Sequence, residues 1–190
     1  MAYEQRLDIV SPARLHSINV IGQMQAELCG ASHMSYRKQL EYFNNHMVLC
    51  RGPAAVISVN EQLLDALGGR RGTLTAYCPR RLEDQQFLHA ASPGTNSTPE
   101  KFIEVKRGMI LRLLDNKSHK SYLDLGDRML LIAFSAITLV VKPLMGEKKG
   151  LNLRITRLLY TTNWRGSSRG IKLISQFPVA AGFCVVDDTV

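Results

Sequence analysis

The chain of 190 residues is 45% hydrophobic and 21% charged, a globular composition that excludes a disordered tail. No apolar run reaches the ~20 residues a membrane-spanning helix needs, and residues 129–141, the longest candidate, are broken by Ser135 and Thr138. The net charge of +8 is regional: residues 1–100 hold nine Lys/Arg against nine Asp/Glu, residues 101–172 hold fifteen against five, and the last eighteen carry only Asp187 and Asp188.

The N-terminus MAYEQRLDIV lacks a basic region followed by an apolar one, so a protein that is not secreted is expected, in a cytoplasmic and reducing setting. Cys29, Cys50, Cys78 and Cys184 are scattered without a C-x-x-C pair and read as buried thiols. Ser11-Pro12 opens a helical pattern in which Leu15, Ile18, Ile21, Met24 and Leu28 recur at three- and four-residue steps until Gly30. A second helical pattern, with Tyr36, Leu40, Phe43 and Met47, runs from about Ser35. PAAVISVN from Pro53 is a short β-branched run that reads as a strand. The capping-box spacing of Ser58 and Glu61 then starts a short helix ended by Gly68 and Gly69. Thr73–Cys78 alternates like a strand, LEDQQFLHAA looks helical, and Ser92–Glu100 is a linker candidate rich in proline and serine.

Beyond the linker, short apolar runs alternate with polar turns: KFIEVKR, MILRLLD, SYLDL, MLLIAFSAITLVVKPLM, LNLRITRLLY, IKLISQF and GFCVV. That rhythm is the mark of antiparallel β structure. The run from Met129 reads either as a helix then a strand or as two strands without a proper turn between them. The expected fold is α+β, a helix-rich N-terminal half packed with a mainly antiparallel sheet, sandwich or partial barrel from the C-terminal half. It is expected as a single compact domain over 1–190, sub-divided at a 92–100 linker into a helix-rich 1–91 and a basic 101–190.

Motifs of catalysis are sparse. Leu67–Thr73 and Met145–Leu151 are glycine-basic turns without the spacing of a phosphate-binding loop. Ser35 and Lys38 fit S-x-x-K without its companion motifs, and His46 and Cys50 lack the further ligands a zinc site needs. No cofactor and no metal are expected. The basic segment is the stronger signal. In LNLRITRLLY, Leu151, Leu153 and Ile155 alternate with Asn152, Arg154 and Thr156, so a strand there buries the first set and sends Arg154 outward. Lys148 and Lys149 precede it, Arg157 follows it, and Arg165 and Arg169 sit in the loop NWRGSSRG beside Trp164. Lys117 and Lys120, in DNKSHK, complete a candidate polyanion-binding set of Lys117, Lys120, Lys148, Lys149, Arg154, Arg157, Arg165 and Arg169.

These residues point to a non-enzymatic structural or assembly protein of viral matrix, coat or accessory type. It is expected to bind nucleic acid, RNA in particular, or an anionic lipid surface at the membrane periphery, and to self-associate. One alternative is an enzyme acting on nucleic acid or a phosphorylated substrate, for which Asp124, Asp127, His119 and Cys184 are the first candidates. The other is a protein–protein adaptor that docks through its N-terminal helices.

Overall fold

The computed structural model describes residues 24–26, 35–77, 100–116, 122–162 and 172–186. Strand dominates these residues, and helix is confined to one turn at 24–26, to Tyr36–Asn45 (α1) and to Pro53–Ala66 (α2). The expected α+β division with a helix-rich first half is therefore corrected to a mostly β architecture. The patterns that suggested more helix, 11–23 and LEDQQFLHAA, lie outside the described residues.

Helix α1 buries Leu40 and Phe43 three positions apart on one face, as the spacing predicts, but it ends at Asn45 and leaves Met47, expected in the same pattern, beyond it and exposed. Helix α2 absorbs both the supposed strand and the supposed short helix. Gly52 takes an extended N-cap conformation and Pro53 fills the first turn, where its missing N–H is no loss. Val59, Asn60, Leu63 and Leu64 make the buried stripe. Ser58 caps nothing, and its Oγ accepts from Gln62 Nε2 one turn on. The β-branched residues Val56 and Ile57 suggested a strand, but burial of that stripe outweighs their weak helix propensity.

Strand β1 (Val48–Cys50) runs parallel to β11 (Cys184–Val186), and α2 packs on both. Asn60 fastens them, its Oδ1 accepting the backbone N–H groups of Phe183 (3.0 Å) and Cys184 (3.3 Å). Strands β2 (Gly72–Thr75) and β3 (Phe102–Val105) pair antiparallel, with Leu74, Ile103 and Val105 turned inward and Thr73, Thr75, Phe102 and Glu104 outward.

The remaining strands are β4 (Ile110–Leu113), β5 (Arg128–Phe134), β6 (Thr138–Pro143), β7 (Leu153–Thr156), β8 (Leu158–Thr162), β9 (Lys172–Gln176) and β10 (Val179–Ala181). They pair antiparallel in the order β10-β4-β5-β6-β7, with β8 joined to β9. Only Arg157 separates β7 from β8, and only Phe177-Pro178 separates β9 from β10. The pairing thus runs in a ring through two kinked strands, as in small antiparallel barrels. The ambiguous stretch from Met129 resolves into β5 and β6. Ser135 makes the turn that the composition hid: its Oγ accepts the N–H groups of Ile137 and Thr138 while its own N–H donates to Thr138 O. SYLDL forms no strand, because Asp127 Oδ2 accepts the Asp124 N–H and closes a turn there.

One core of buried residues reaches from Met24 and Phe43 through Leu63, Met109, Leu130 and Val141 to Phe183. Cationic side chains fasten helix ends to it. Lys106 Nζ donates to Leu67 O (2.7 Å) at the C-terminus of α2. Arg128 donates to Phe43 O, His46 O and Gly182 O, tying the end of α1 to β5 and to the β10–β11 link. Both sit where a helix exposes carbonyls and favours positive charge. Burial pushes the Arg128 pKa down to about 10, partly offset by Cys184, so the group keeps its charge at neutral pH.

Gly182 lies against β4: a Cβ there meets Arg112 N and Leu111 C at 2.9 Å, while Gly52 has open space around it. Gly182→Ala is expected to lower unfolding free energy by about 1–3 kcal/mol in urea titrations, whereas Gly52→Ser, a better N-cap, leaves it equal or higher.

Candidate nucleic-acid interface

Of the candidate set, the described cations that remain exposed, Lys148, Lys149 and Arg154, lie on the β6–β7 hairpin, while Arg37, Arg51, Arg70 and Arg107 are among those exposed elsewhere. Arg154 is opposite Val140 in the register, so their side chains share a face, and Lys142, two residues from Val140, lies on that face too. Lys142 Nζ donates to Gly150 O at 3.0 Å and steadies the connecting loop. Within the loop Lys149 N bonds Gly146 O, Gly150 N bonds Pro143 O and Leu151 N bonds Lys148 O. Gly146 and Gly150 adopt positive φ, which lets so short a loop close. The result is a rigid turn that carries Lys148 and Lys149 into solvent. Three exposed cations, Lys148, Lys149 and Arg154, against the lone acid of the loop, Glu147, make a local positive field suited to phosphates.

Arg157 is not part of that field. It is 6% exposed, and its guanidinium faces inward. Nε donates to Ala136 O (2.6 Å), and Nη1 to Thr75 O (3.1 Å), Ser175 O (3.0 Å) and Gln176 Oε1 (3.3 Å). The group lies 4.5 Å from the Phe177 ring centroid and 5.0 Å from that of Tyr77. Burial lowers its pKa below the usual arginine range, and Tyr77 works against that shift. A side chain that supplies internal carbonyls is unavailable to a polyanion, so Arg157 leaves the candidate set for a physical reason. Lys117, Lys120, Arg165 and Arg169 lie outside the described residues, as do Trp164 and His119.

The other singled-out groups have structural duties. Asp124 and Asp127 hold their turn. Cys184 is buried against Val56 O, and burial, with Cys50 beside it, pushes its thiol up to about 12, the reverse of an activated nucleophile. Tyr160 is buried, and that burial, reinforced by Asp115, raises its pKa. Arg71 is engaged by Asp65 and Glu104. Among the described residues no group of three His, Cys, Asp or Glu converges on a metal-sized site, and no helix is long and apolar enough to cross a membrane.

Sequence reasoning missed two exposed aromatics, Tyr77 and Phe102. The alternation of β3, with Ile103 and Val105 inward, carries the signal for Phe102. Tyr77 is displayed through a single bridge to Ser175, which no local pattern foretells.

No protein-family model matches the sequence, and no curated protein matches it. Solved structures do resemble the fold. Bacteroides Pif1 bound to ssDNA superposes with a TM-score of 0.51 at 14% identity, over 86% of this chain and 39% of that one. Bacteroides Pif1 helicase in complex with ADP-AlF3 and ssDNA has a TM-score of 0.51 at 16% identity, over 93% and 40%. Pif1 helicase from Candida albicans has a TM-score of 0.51 at 14% identity, over 86% and 43%. The chain thus spans about two fifths of the length of these helicases. A fold found in helicases overturns the expectation of a non-enzymatic structural protein of viral matrix, coat or accessory type.

Replacing Arg157 by Met takes the guanidinium from Ala136 O and Thr75 O, each worth about 1–3 kcal/mol when left unsatisfied, while Ser175 O keeps the Tyr77 N–H. The expected loss of stability is about 2–4 kcal/mol by thermal or chemical unfolding, whereas Arg154→Met stays within about 0.5 kcal/mol of the parent.

Proposed function

We propose that this chain is the strand-holding part of a Pif1-like helicase and binds single-stranded nucleic acid, DNA foremost, along the β6–β7 hairpin. The observation that carries this reading is the convergence of Lys148, Lys149 and Arg154 on one hairpin, its loop steadied by Lys142, in a fold seen in helicases, two of them solved with ssDNA. RNA as the preferred strand, a lipid surface and self-association draw no support from those neighbours.

The role assigned is gripping and guiding. The 190 residues contain no G-x-x-x-x-G-K-[ST] loop, so the nucleotide hydrolysis that drives unwinding has to come from residues outside them. Lysine and arginine on a stiff hairpin meet phosphates as fixed charges, giving a grip that ignores base sequence. A strand can then slide without a sequence-dependent barrier. Lys117, Lys120, Arg165 and Arg169 add further phosphate contacts in this proposal.

Binding of fluorescein-labelled oligo-dT, followed by anisotropy across a salt series, tests the assignment. Single strands lose about 0.7 of a log unit of affinity per log unit of salt for each phosphate neutralised. The triple change Lys148→Glu, Lys149→Glu, Arg154→Glu is expected to weaken binding at least tenfold and to flatten the salt slope by about 2. Arg165→Glu with Arg169→Glu serves as a parallel arm for the loop. Unchanged affinity and slope in the triple variant would remove the hairpin as the interface.

A further inference from the structure

Three large apolar side chains stand exposed around the buried Arg157: Phe102 (50%), Tyr77 (45%) and Ile137 (70%). Scattered singly, such residues need no explanation, but these are joined through one guanidinium. Arg157 holds the carbonyl of Ala136, next to Ile137. It also holds the carbonyl of Thr75, opposite Phe102, and it underlies the Tyr77 ring.

We infer that Tyr77 and Phe102 form a stacking platform for the unpaired bases of the strand whose phosphates the β6–β7 hairpin holds, with Ile137 at its border. The inference rests on the nucleic-acid reading above and adds to it the recognition of bases. Thr75 and Phe102 are cross-strand partners, and the Ala76 N–H bonds Lys101 O, so the ladder continues to Tyr77 and places it diagonally from Phe102 on the same outward face.

The mounting is rigid. Tyr77 exchanges two backbone hydrogen bonds with Ser175, at 3.2 and 2.7 Å, and Ser135 locks the Ile137 turn. Little ordering entropy therefore opposes a ligand. The electrostatics also suit bases. Arg157 lies against Tyr77, and Lys101 Nζ sits 5.0 Å from the Phe102 centroid. Nearby Glu104 is engaged by Arg71 and Thr73. With Glu100 also exposed there, the patch has no surplus of positive charge to hold phosphates, and an aromatic face is what a neutral base requires.

Continuity sets the distance. From Thr138, next to Ile137, to Lys142 strand β6 covers about 13 Å at ~3.3 Å per residue, the length of about four stacked nucleotides. One short strand can thus span from the cations to Ile137 at the border of the platform. A duplex cannot use the platform, because its bases are already stacked and paired.

The test compares the parent chain with Tyr77→Thr/Phe102→Thr, changes at outward positions that keep the strand. The probes are oligo-dT, an abasic oligonucleotide of equal length, and a duplex. The parent is expected to prefer oligo-dT to the abasic strand. The double variant loses about 10- to 100-fold for oligo-dT and nothing for the abasic strand or the duplex, and its salt slope stays the same. Loss of slope instead belongs to the hairpin cations, which separates the two readings. Equal parent affinity for oligo-dT and abasic strands overturns the platform while leaving the phosphate grip. So does a double variant with unchanged oligo-dT binding, or one whose only change is lost self-association on size-exclusion chromatography, which would make the patch a protein contact. Absence of parent binding to every probe overturns both readings.

Discussion

A buried guanidinium is tolerable only where carbonyls replace its water, and Arg157 meets that condition with oxygens from the β5–β6 turn, from β2 and from β9. It lies where β7 ends and β8 begins, between Tyr77 and Phe177. Gln176 extends the same network. Its Nε2 donates to the carbonyls of Leu74, Glu100 and Lys101, and its Oε1 accepts from Arg157 and from the Phe177 N–H. The ring of strands closes around this point, and the β2–β3 hairpin is held to it there. Networks of this kind specify one arrangement, because any other leaves a charge or a carbonyl without a partner.

The same constraint divides the cations of the chain into two populations. Arg157, Arg128 and Lys106 serve backbone carbonyls inside the molecule. Lys148, Lys149 and Arg154 stay in water on a hairpin stiffened by its own hydrogen bonds. Net charge treats both populations alike, so the regional excess of positive charge overstates the external field. Among the described members of the candidate set, those left outside form a short strip along one hairpin.

The likeness to helicases fits that picture at the level of fold. Strand-dominated structure, a parallel β1–β11 pair under a helix and a small antiparallel ring give a platform on which hairpins and loops are displayed. The grip proposed on β6–β7 and the rings proposed on β2–β3 come from opposite sides of Arg157. Its burial therefore matters to the proposed function indirectly: it backs the Tyr77 ring and fixes the end of β7 without facing the strand itself.

Local pattern determined much by itself. Two-residue alternation in LNLRITRLLY put Ile155 inside and Arg154 outside, and three-residue spacing placed Leu40 and Phe43 on the buried face of α1. Both follow from periodicity, which a sequence displays directly. Tertiary structure decided the rest. Arg157 shares the parity of Leu153 and Ile155, so alternation already turns it inward, but nothing local shows what meets a charge there: its partners Thr75 and Gln176 lie 82 and 19 residues away. PAAVISVN became helix because burial of Leu63 and Leu64 recruited it. Periodicity tells a residue which way to point, but only the segments that arrive from elsewhere decide whether water or a carbonyl is waiting there.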